Sequence, residues 1–426
     1  MIRDLVSLSS VIPYSMRDPE NIKNLMENKE QLVEEILSRG VAEAIDHEHL
    51  KARLLEGKPL RIKLGIDPTS ANIHLGRAVV LLKMRDLQQL GHKIVLIVGD
   101  FTGVIGDTSD KESERPMLGK DAIEANMKTY TEQMGKLIDL EQAEIHYNST
   151  WLGELGYEDI GTQANAFSVA EFIARDNIKK RLDAGKRVSL REILYPLMQG
   201  FDSIAVNADV ELGGIDQRFN LLAGRRLQEA HGQPAQDILM TNLILGTDGR
   251  KMSSSWGNTI NLLDVPNEMF GKVMSIPDNL ITDYFVHCTR VPMVDIAKMA
   301  EEMVTGGNPR DAKVRLAKEI VRLYHGDVEA DKAEQYFIET FSKGHIPTDI
   351  REQKVVWCDP LDSYQNLQDF IVSAGLATSK SDARRKIEQG GIYIDGVRTV
   401  DVRILTKDDD GKVVQVGKKD FVKIVF

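Results

Sequence analysis

The chain has 426 residues, 42% of them hydrophobic and 28% charged, with a formal net charge of −11. That length accommodates roughly two or three domains, and the acidic balance excludes a protein that coats nucleic acid through a uniformly basic surface. No apolar run reaches membrane-span length, and the N-terminal "MIRDLVSLSSVIPYSMRDPE" places charges and prolines where a signal peptide needs an unbroken apolar core. Cys288 and Cys358, far apart in sequence, form neither a disulfide framework nor a zinc cluster, which points to a reducing cytoplasm.

In chain order, residues 21–57 read as helical, with Leu32, Ile36, Val41 and Ile45 recurring near helical spacing. "LRIKLGID" alternates like a strand. "AVVLLKMRDLQQLG" is a helix with Gly91 as its C-terminal cap, and "HKIVLIVGD" suits a buried parallel strand. Strand, helix and strand make a βαβ unit, whose ligand site belongs at the carboxyl ends of the strands. Residues 110–200 read as a polar, mostly helical insertion between two halves of the sheet. "DSIAVNADVELGG" reads as a return to strand, followed by a helix from Gln217, and "QDILMTNLILGTDGRKMSSS" as a last strand and loop. The predicted architecture is an α/β Rossmann-like parallel-sheet domain over 1–260, a helical domain over 261–345, a linker over 346–365 and a small α+β domain over 366–426. The last of these carries a net charge of +2 and the rest of the chain −13. Within it, "LQDFIVSAGLATSKSDARRKIEQGGIYIDG" predicts helix, turn, basic helix, Gly-Gly and strand.

Two stretches carry chemistry. In "GIDPTSANIHLGR" a helix N-terminus presents unpaired N–H groups that attract phosphate, and Thr69 and His74 add donors there. Gly76 removes a side chain where a base or ribose could approach, and Arg77 shares the first helical turn with His74. In "GRKMSSSWGN", Lys251 and three hydroxyls follow a glycine-containing turn, a loop suited to polyphosphate. Taken singly, these stretches are equally a helix start with a packing glycine and a solvated loop. There is no Walker loop, since "LGKD" lacks the upstream glycine and the Ser/Thr, and no HExxH, since "DHEHL" has the wrong spacing.

His-Leu-Gly after the first strand and Lys-Met-Ser-Ser-Ser after the last resemble the paired signatures of class I aminoacyl-tRNA synthetases. "KLGIDPT", "GDFTGVIGD", "YPLMQGFDS", "GGIDQRFN" and "NPRDAK" resemble, in order, the bacterial-type tyrosyl-tRNA synthetases. The resemblance implies a ligase that activates tyrosine with ATP and Mg²⁺ to tyrosyl-adenylate, and then esterifies tRNA(Tyr). It assigns Thr69 and His74 to the outer phosphates, and Asp67, Gly76, Gly214, Asp216, Ser253 and Ser254 to the nucleotide and adenylate. Asp107, Tyr195 and Gln199 go to the substrate ammonium, Asp202 to the phenol, and Gln217 to the substrate run. Lys111, Arg115 and Lys251 go to the departing pyrophosphate. The tail resembles an S4-type RNA-binding domain with Lys380, Arg384, Arg385 and Lys386 on or beside one helix, and the 110–200 insertion resembles the region through which the family forms homodimers.

Three positions depart from the family pattern. Arg77 replaces the second histidine of the first signature, Ser254 a second lysine, and Lys63 the tyrosine that one branch keeps beside the phenol. Lys63 and Arg77 are nevertheless expected at the site. The alternatives are a non-catalytic RNA-binding paralogue, which Arg77 favours, and a ligase for another aromatic amino acid or an amino-acid-activating enzyme without tRNA, against which Asp202 and the basic tail argue.

Overall fold

A computed structural model describes residues 19–107, 117–342, 350–358, 363–417 and 420–426. Helix α1 (Pro19–Ser38) is followed by strand β1 (Val41–Ile45) and a further helix, His47–Glu56. The helix predicted over 21–57 is thus broken by a strand. Gly40 and Asp46, both at positive φ, bracket β1 and stop a helix from running through it.

Strand β2 (Arg61–Ile66), helix α2 (Leu75–Gln89) and strand β3 (Lys93–Val98) form the expected βαβ unit. Gly91 takes φ +90° just beyond α2. Five of the six residues of β3 are buried, as a strand covered on both faces requires. The segment predicted to be a helical insertion contributes a strand of its own, β4 (Glu144–Tyr147), before helices α3 (Asp176–Asp183) and α4 (Leu190–Ala205). Asp202 to Ala205 form the end of α4 rather than a strand; Asn207 at φ +50° turns the chain, and only β5 (Val210–Gly214) is extended. Helix α5 (Arg218–Ala230) and strand β6 (Asp237–Thr241) follow.

The sheet order is β1-β6-β5-β2-β3-β4, parallel except for β1. The chain runs outward from β2 through β3 to β4, then returns to the other side of β2 for β5 and β6. The switch point therefore lies between β2 and β5, where an open α/β sheet has its ligand crevice. These two strands pair only at Ile62–Val210 and Lys63–Glu211, leaving their carboxyl ends apart.

Helix α4, which carries Tyr195, Gln199 and Asp202, begins at a capping box. Ser189 N donates to Glu192 Oε1 at 2.9 Å. Glu192 is also clamped by Arg181 of α3 through two bonds of 2.5 and 3.1 Å, with side-chain exposures of 2% for Arg181 and 0% for Glu192. Arg181→Ala removes the buried cation that clamps this carboxylate and is expected to destabilise the fold by about 3–5 kcal/mol. A shift of the urea midpoint with an unchanged m-value is the check.

The chain divides into two compact units between Gly326 and Asp327. The first unit includes residues on both sides of position 260. Helix Ile281–Cys288 packs on α2, and helix Pro266–Met274 packs on α6 (Pro309–His325). Arg290 grips Asp86 of α2 through two bonds of 2.9 and 2.8 Å.

The second unit holds a five-stranded sheet of order β11 (Val397–Thr399), β10 (Ile392–Ile394), β12 (Val413–Val416), β13 (Asp420–Val425) and β7 (Glu352–Lys354). Part of the predicted linker belongs to it. β7 (Glu352–Lys354) is the edge strand parallel to β13 (Asp420–Val425), and β8 (Trp357–Cys358) pairs with β9 (Ser363–Tyr364). Helices α7 (Leu367–Ser373) and α8 (Lys380–Glu388) pack through Leu367, Phe370, Ile371, Ala383 and Ile387 with Ile392 of β10 (Ile392–Ile394), Val414 of β12 (Val413–Val416), and Val422 and Ile424 of β13. β10 turns into β11 (Val397–Thr399) at Asp395-Gly396, both at positive φ, the signature of a two-residue hairpin.

Candidate active site

A cavity of about 310 Å³ opens at the carboxyl ends of β2, β3, β5 and β6. At its deep end stands Asp202, 3% exposed, which accepts from Trp151 Nε1 at 2.8 Å and Asn148 Nδ2 at 3.3 Å. Burial pushes its carboxyl up to about 7, against the pull of Lys63 and the two donors. Asp67 lies beside it on the loop after β2. Its two oxygens accept from Thr102 Oγ1 at 2.7 Å and Tyr195 Oη at 2.8 Å, and burial pushes it up to about 6. Tyr195 is held protonated, its pKa raised well above the ordinary phenol value first by burial and then by the neighbouring carboxylates. Gly99 is required here, because a Cβ at that position would overlap Asp67 Oδ1 and Thr102 Oγ1. Asp107 accepts from Gln217 Nε2 at 2.6 Å, joining the loop after β3 to the start of α5.

The mouth is built by the two motif loops. His74 caps α2 from an extended backbone, and Leu75 N donates to Ile260 O at 2.8 Å, which ties the helix start to the chain beyond "KMSSS". Gly76 N lies 3.3 Å from Met252 Sδ, and a Cβ on Gly76 would crowd the His74 ring at 3.1 Å. Arg77 also lines the cavity. It donates to Tyr130 Oη at 2.7 Å, Thr69 Oγ1 at 2.9 Å and Asp67 O at 3.4 Å, so its guanidinium binds together the loop that carries Asp67 and Thr69. On the opposite wall Lys251 Nζ is 3.0 Å from Asp216 Oδ2. Asn258 folds the Lys251 loop. Its Oδ1 accepts from Ser253 N at 2.9 Å, and its Nδ2 donates to Lys251 O at 3.1 Å and Asp248 Oδ1 at 2.7 Å.

Residues 55–342 match the family described as tRNA synthetases class I (W and Y). The chain belongs to this family. Residues 352–424 match the tyrosine–tRNA ligase SYY-like C-terminal domain. The tyrosine–tRNA ligase of Photobacterium profundum is 44% identical over 400 residues, covering 94% of this chain and 99% of that protein. That of Thermotoga maritima is 44% identical over 394 residues, covering 91% and 96%. Among solved structures, a C-terminally truncated mitochondrial tyrosyl-tRNA synthetase of Aspergillus nidulans superposes with a TM-score of 0.60 at 22% identity, over 74% of this chain and 98% of that one. The tyrosyl-tRNA synthetase of Archaeoglobus fulgidus complexed with L-tyrosine does so with a TM-score of 0.57 at 24% identity, over 72% and 99%. These two likenesses concern the fold.

The sequence-derived residues are distributed unevenly around this cavity. Asp67, Thr69, His74, Gly76, Arg77, Asp107, Tyr195, Gln199, Asp202, Gly214, Asp216, Gln217, Lys251, Ser253 and Ser254 all line the one cavity. Lys63, expected at the substrate phenol, does not. It is fully buried behind the wall and paired with Glu211 at 2.8 Å. Lys111 and Arg115 lie outside the described residues. Asn148, Trp151, Thr102 and Tyr130 were not singled out from the sequence, because each acts through a partner distant in the chain. Lys380, Arg384, Arg385 and Lys386 lie on α8 of the second unit, each in an ion pair with Asp369, Glu388 or Asp382.

Proposed function

We propose that this chain is a tyrosine–tRNA ligase that activates L-tyrosine with ATP and passes the tyrosyl group to the 3′ end of tRNA(Tyr). The observation that carries the reading is the meeting of the His-Leu-Gly and Lys-Met-Ser-Ser-Ser segments at one cavity, Gly76 N against Met252 Sδ at 3.3 Å, with a buried acid at the far end. Asp202 receives the phenolic hydroxyl. Asp107, Tyr195 and Gln199 accept the three hydrogens of the ammonium. Tyr195 suits this because its own hydrogen goes to Asp67, which leaves its oxygen as an acceptor. Gly214, Asp216 and Gln217 border the ribose; a Cβ on Gly214 would stand 2.5 Å from Asp216 Oδ1. Gly76 and Asp67 border the adenylate, and Thr69 and His74 hold the outer phosphates. Arg77 orients Thr69.

A tyrosine carboxylate oxygen bonds to the α-phosphorus as the bond to the bridging oxygen breaks, and pyrophosphate carries the electron pair away. Lys251, Ser253 and Ser254 stabilise that developing charge, and the resemblance assigns Lys111 and Arg115 to it as well. A ribose hydroxyl of the tRNA then displaces AMP from the acyl carbon. No protein nucleophile takes part, so the protein's contribution is positioning and electrostatics. Among the described residues no group of three or more His, Cys, Asp or Glu is gathered for a metal. Mg²⁺ keeps several waters and binds chiefly through substrate phosphates, so it would arrive with the triphosphate and supply charge neutralisation there.

The second unit serves as an S4-like RNA-binding module through the exposed cations of α8. Exposed apolar side chains on the 110–200 segment, Tyr157, Val169, Ile173, Leu182 and Leu190, support a homodimer contact. No described helix is long and apolar enough to cross a membrane, and a cytoplasmic location suits the buried free thiol of Cys288. The reading is tested by tyrosine-dependent exchange of pyrophosphate into ATP. Exchange is expected with tyrosine alone among the amino acids. Tight tRNA binding with no exchange would sink it in favour of the non-catalytic paralogue.

A further inference from the structure

Lys63 on β2 and Glu211 on β5 are register partners at the switch point of the sheet. Their side chains are 0% and 1% exposed, and Nζ lies 2.8 Å from Glu211 Oε1. The ammonium gives its other hydrogens to Gln199 O at 2.9 Å and Ser203 Oγ at 2.8 Å, one helical turn apart on α4. All three donors are spent inside the wall, so none is left for a substrate. Glu211 has partners of its own. Oε1 accepts from Gln199 Nε2 at 3.1 Å, Oε2 accepts from Ser203 Oγ at 3.1 Å, and Gln236 Nε2 also donates to Oε2. Gly224 of α5 leaves room for this cluster; a Cβ there would stand 2.6 Å from Gln236 Nε2 and 3.2 Å from Glu211 Oε2.

One member of the cluster, Gln199, also lines the cavity. Its side-chain amide has two ends, a donor and an acceptor, and nothing in its shape chooses between them. Glu211, paired with an ammonium, offers acceptors only. The amide therefore turns its NH₂ toward Glu211 and keeps its oxygen for the cavity. We propose that the buried Lys63–Glu211 pair is a positioning device that sets the polarity of Gln199, so that its carbonyl oxygen rather than its NH₂ meets the substrate ammonium. Lys63 also holds the Gln199 carbonyl and Ser203, which fixes the backbone of α4 on either side of Asp202. This inference rests on the assignment of Gln199 to the ammonium made above.

The test compares tyrosine with its desamino analogue, hydroxyphenylpropionate, in the full-length protein. The preference is the ratio of the inhibition constant of the analogue to the KM of tyrosine. Lys63→Met with Glu211→Leu replaces the pair by apolar groups of similar volume, an exchange that folded proteins often tolerate. In this double variant the preference for tyrosine is expected to fall by roughly ten- to a hundredfold, the weight of a hydrogen bond to a charged group, while the analogue binds as before. The milder Glu211→Asp retains the charge pair, withdraws the acceptor from Gln199, and is expected to show the same selective loss on a smaller scale. Gln199→Leu is run beside them. If it keeps the preference, the assignment of Gln199 to the ammonium fails. If it loses the preference while both pair variants keep it, that assignment stands and the positioning role is overturned. Equal weakening of tyrosine and analogue in the pair variants also overturns it, since a merely structural pair would loosen the pocket for both.

Discussion

Replacing Lys251 by alanine is expected to slow tyrosine-dependent pyrophosphate exchange by about 10²–10³-fold, the usual cost of losing one preorganised group aimed at charge that develops in the transition state. The KM for tyrosine should hardly move, because the deep end of the cavity is built from α4 and the loops after β2 and β3 and does not use Lys251. Asp216 holds the Lys251 side chain at 3.0 Å, and Asn258 pins the backbone on either side of Met252, so the cation is delivered on a preformed loop rather than on a free chain. The pairing with Asp216 also means that an arriving triphosphate competes with a carboxylate for this lysine. Lys251→Arg keeps the charge but not the point geometry of an ammonium, and should recover only part of the rate. Exchange assays at saturating tyrosine and ATP, together with a tyrosine titration, separate the two effects. A rate close to wild type in the alanine variant, or a loss confined to KM for tyrosine, would remove Lys251 from the reaction.

In the six-stranded sheet the strands foreseen in the sequence were the central ones. β2, β3 and β6 are buried and announce themselves by alternation or by an unbroken apolar run. Among the strands missed, β1, β4 and β7 are edge strands, short and only partly covered. Their extended form comes from pairing with partners far along the chain, so their own residues carry little pattern. β11, also at an edge, is set locally, because Asp395-Gly396 fixes a hairpin with β10. The site divides in the same way. Residues within the motif stretches could be placed because their neighbours in sequence are their neighbours in space. Asn148 and Trp151 could not, because what they hold is Asp202, more than fifty residues away. Lys63 shows the opposite error. Its position in the motif suggested a ligand contact, but β5 sets a glutamate beside it, and a buried cation is drawn to that carboxylate before it reaches any substrate. Arg77, the most doubtful position in the sequence, is tied to Thr69 and Tyr130 rather than left idle.

Asp202→Asn is expected to reduce the preference for tyrosine over phenylalanine by about ten- to a hundredfold or more, because a charged acceptor for the substrate hydroxyl is replaced by a neutral one. The acid is costly to keep. Burial holds its pKa up to about 7, and only Lys63, Trp151 and Asn148 pull it back. The sign of the resulting pH dependence follows directly. The folded protein binds this proton more tightly than the unfolded chain does, so the stability contributed by Asp202 is full below the ordinary carboxylate range and is lost as pH rises toward 7. The Asn variant lacks that loss and should melt higher than wild type at pH 8, with the gain shrinking at pH 5. Catalysis runs the other way. The carboxyl is a charged, strong acceptor for the phenolic hydrogen only when ionised, so kcat/KM for tyrosine should fall as pH drops below about 7, a limb of the free-enzyme profile centred there that the Asn variant should not show. Two outcomes would contradict this account: a variant that still rejects phenylalanine as wild type does, or one that keeps the acid limb. The opposite signs make the test sharp. A residue kept for the fold would stabilise where it is ionised, whereas Asp202 is expected to cost stability at the same pH at which it reads the substrate.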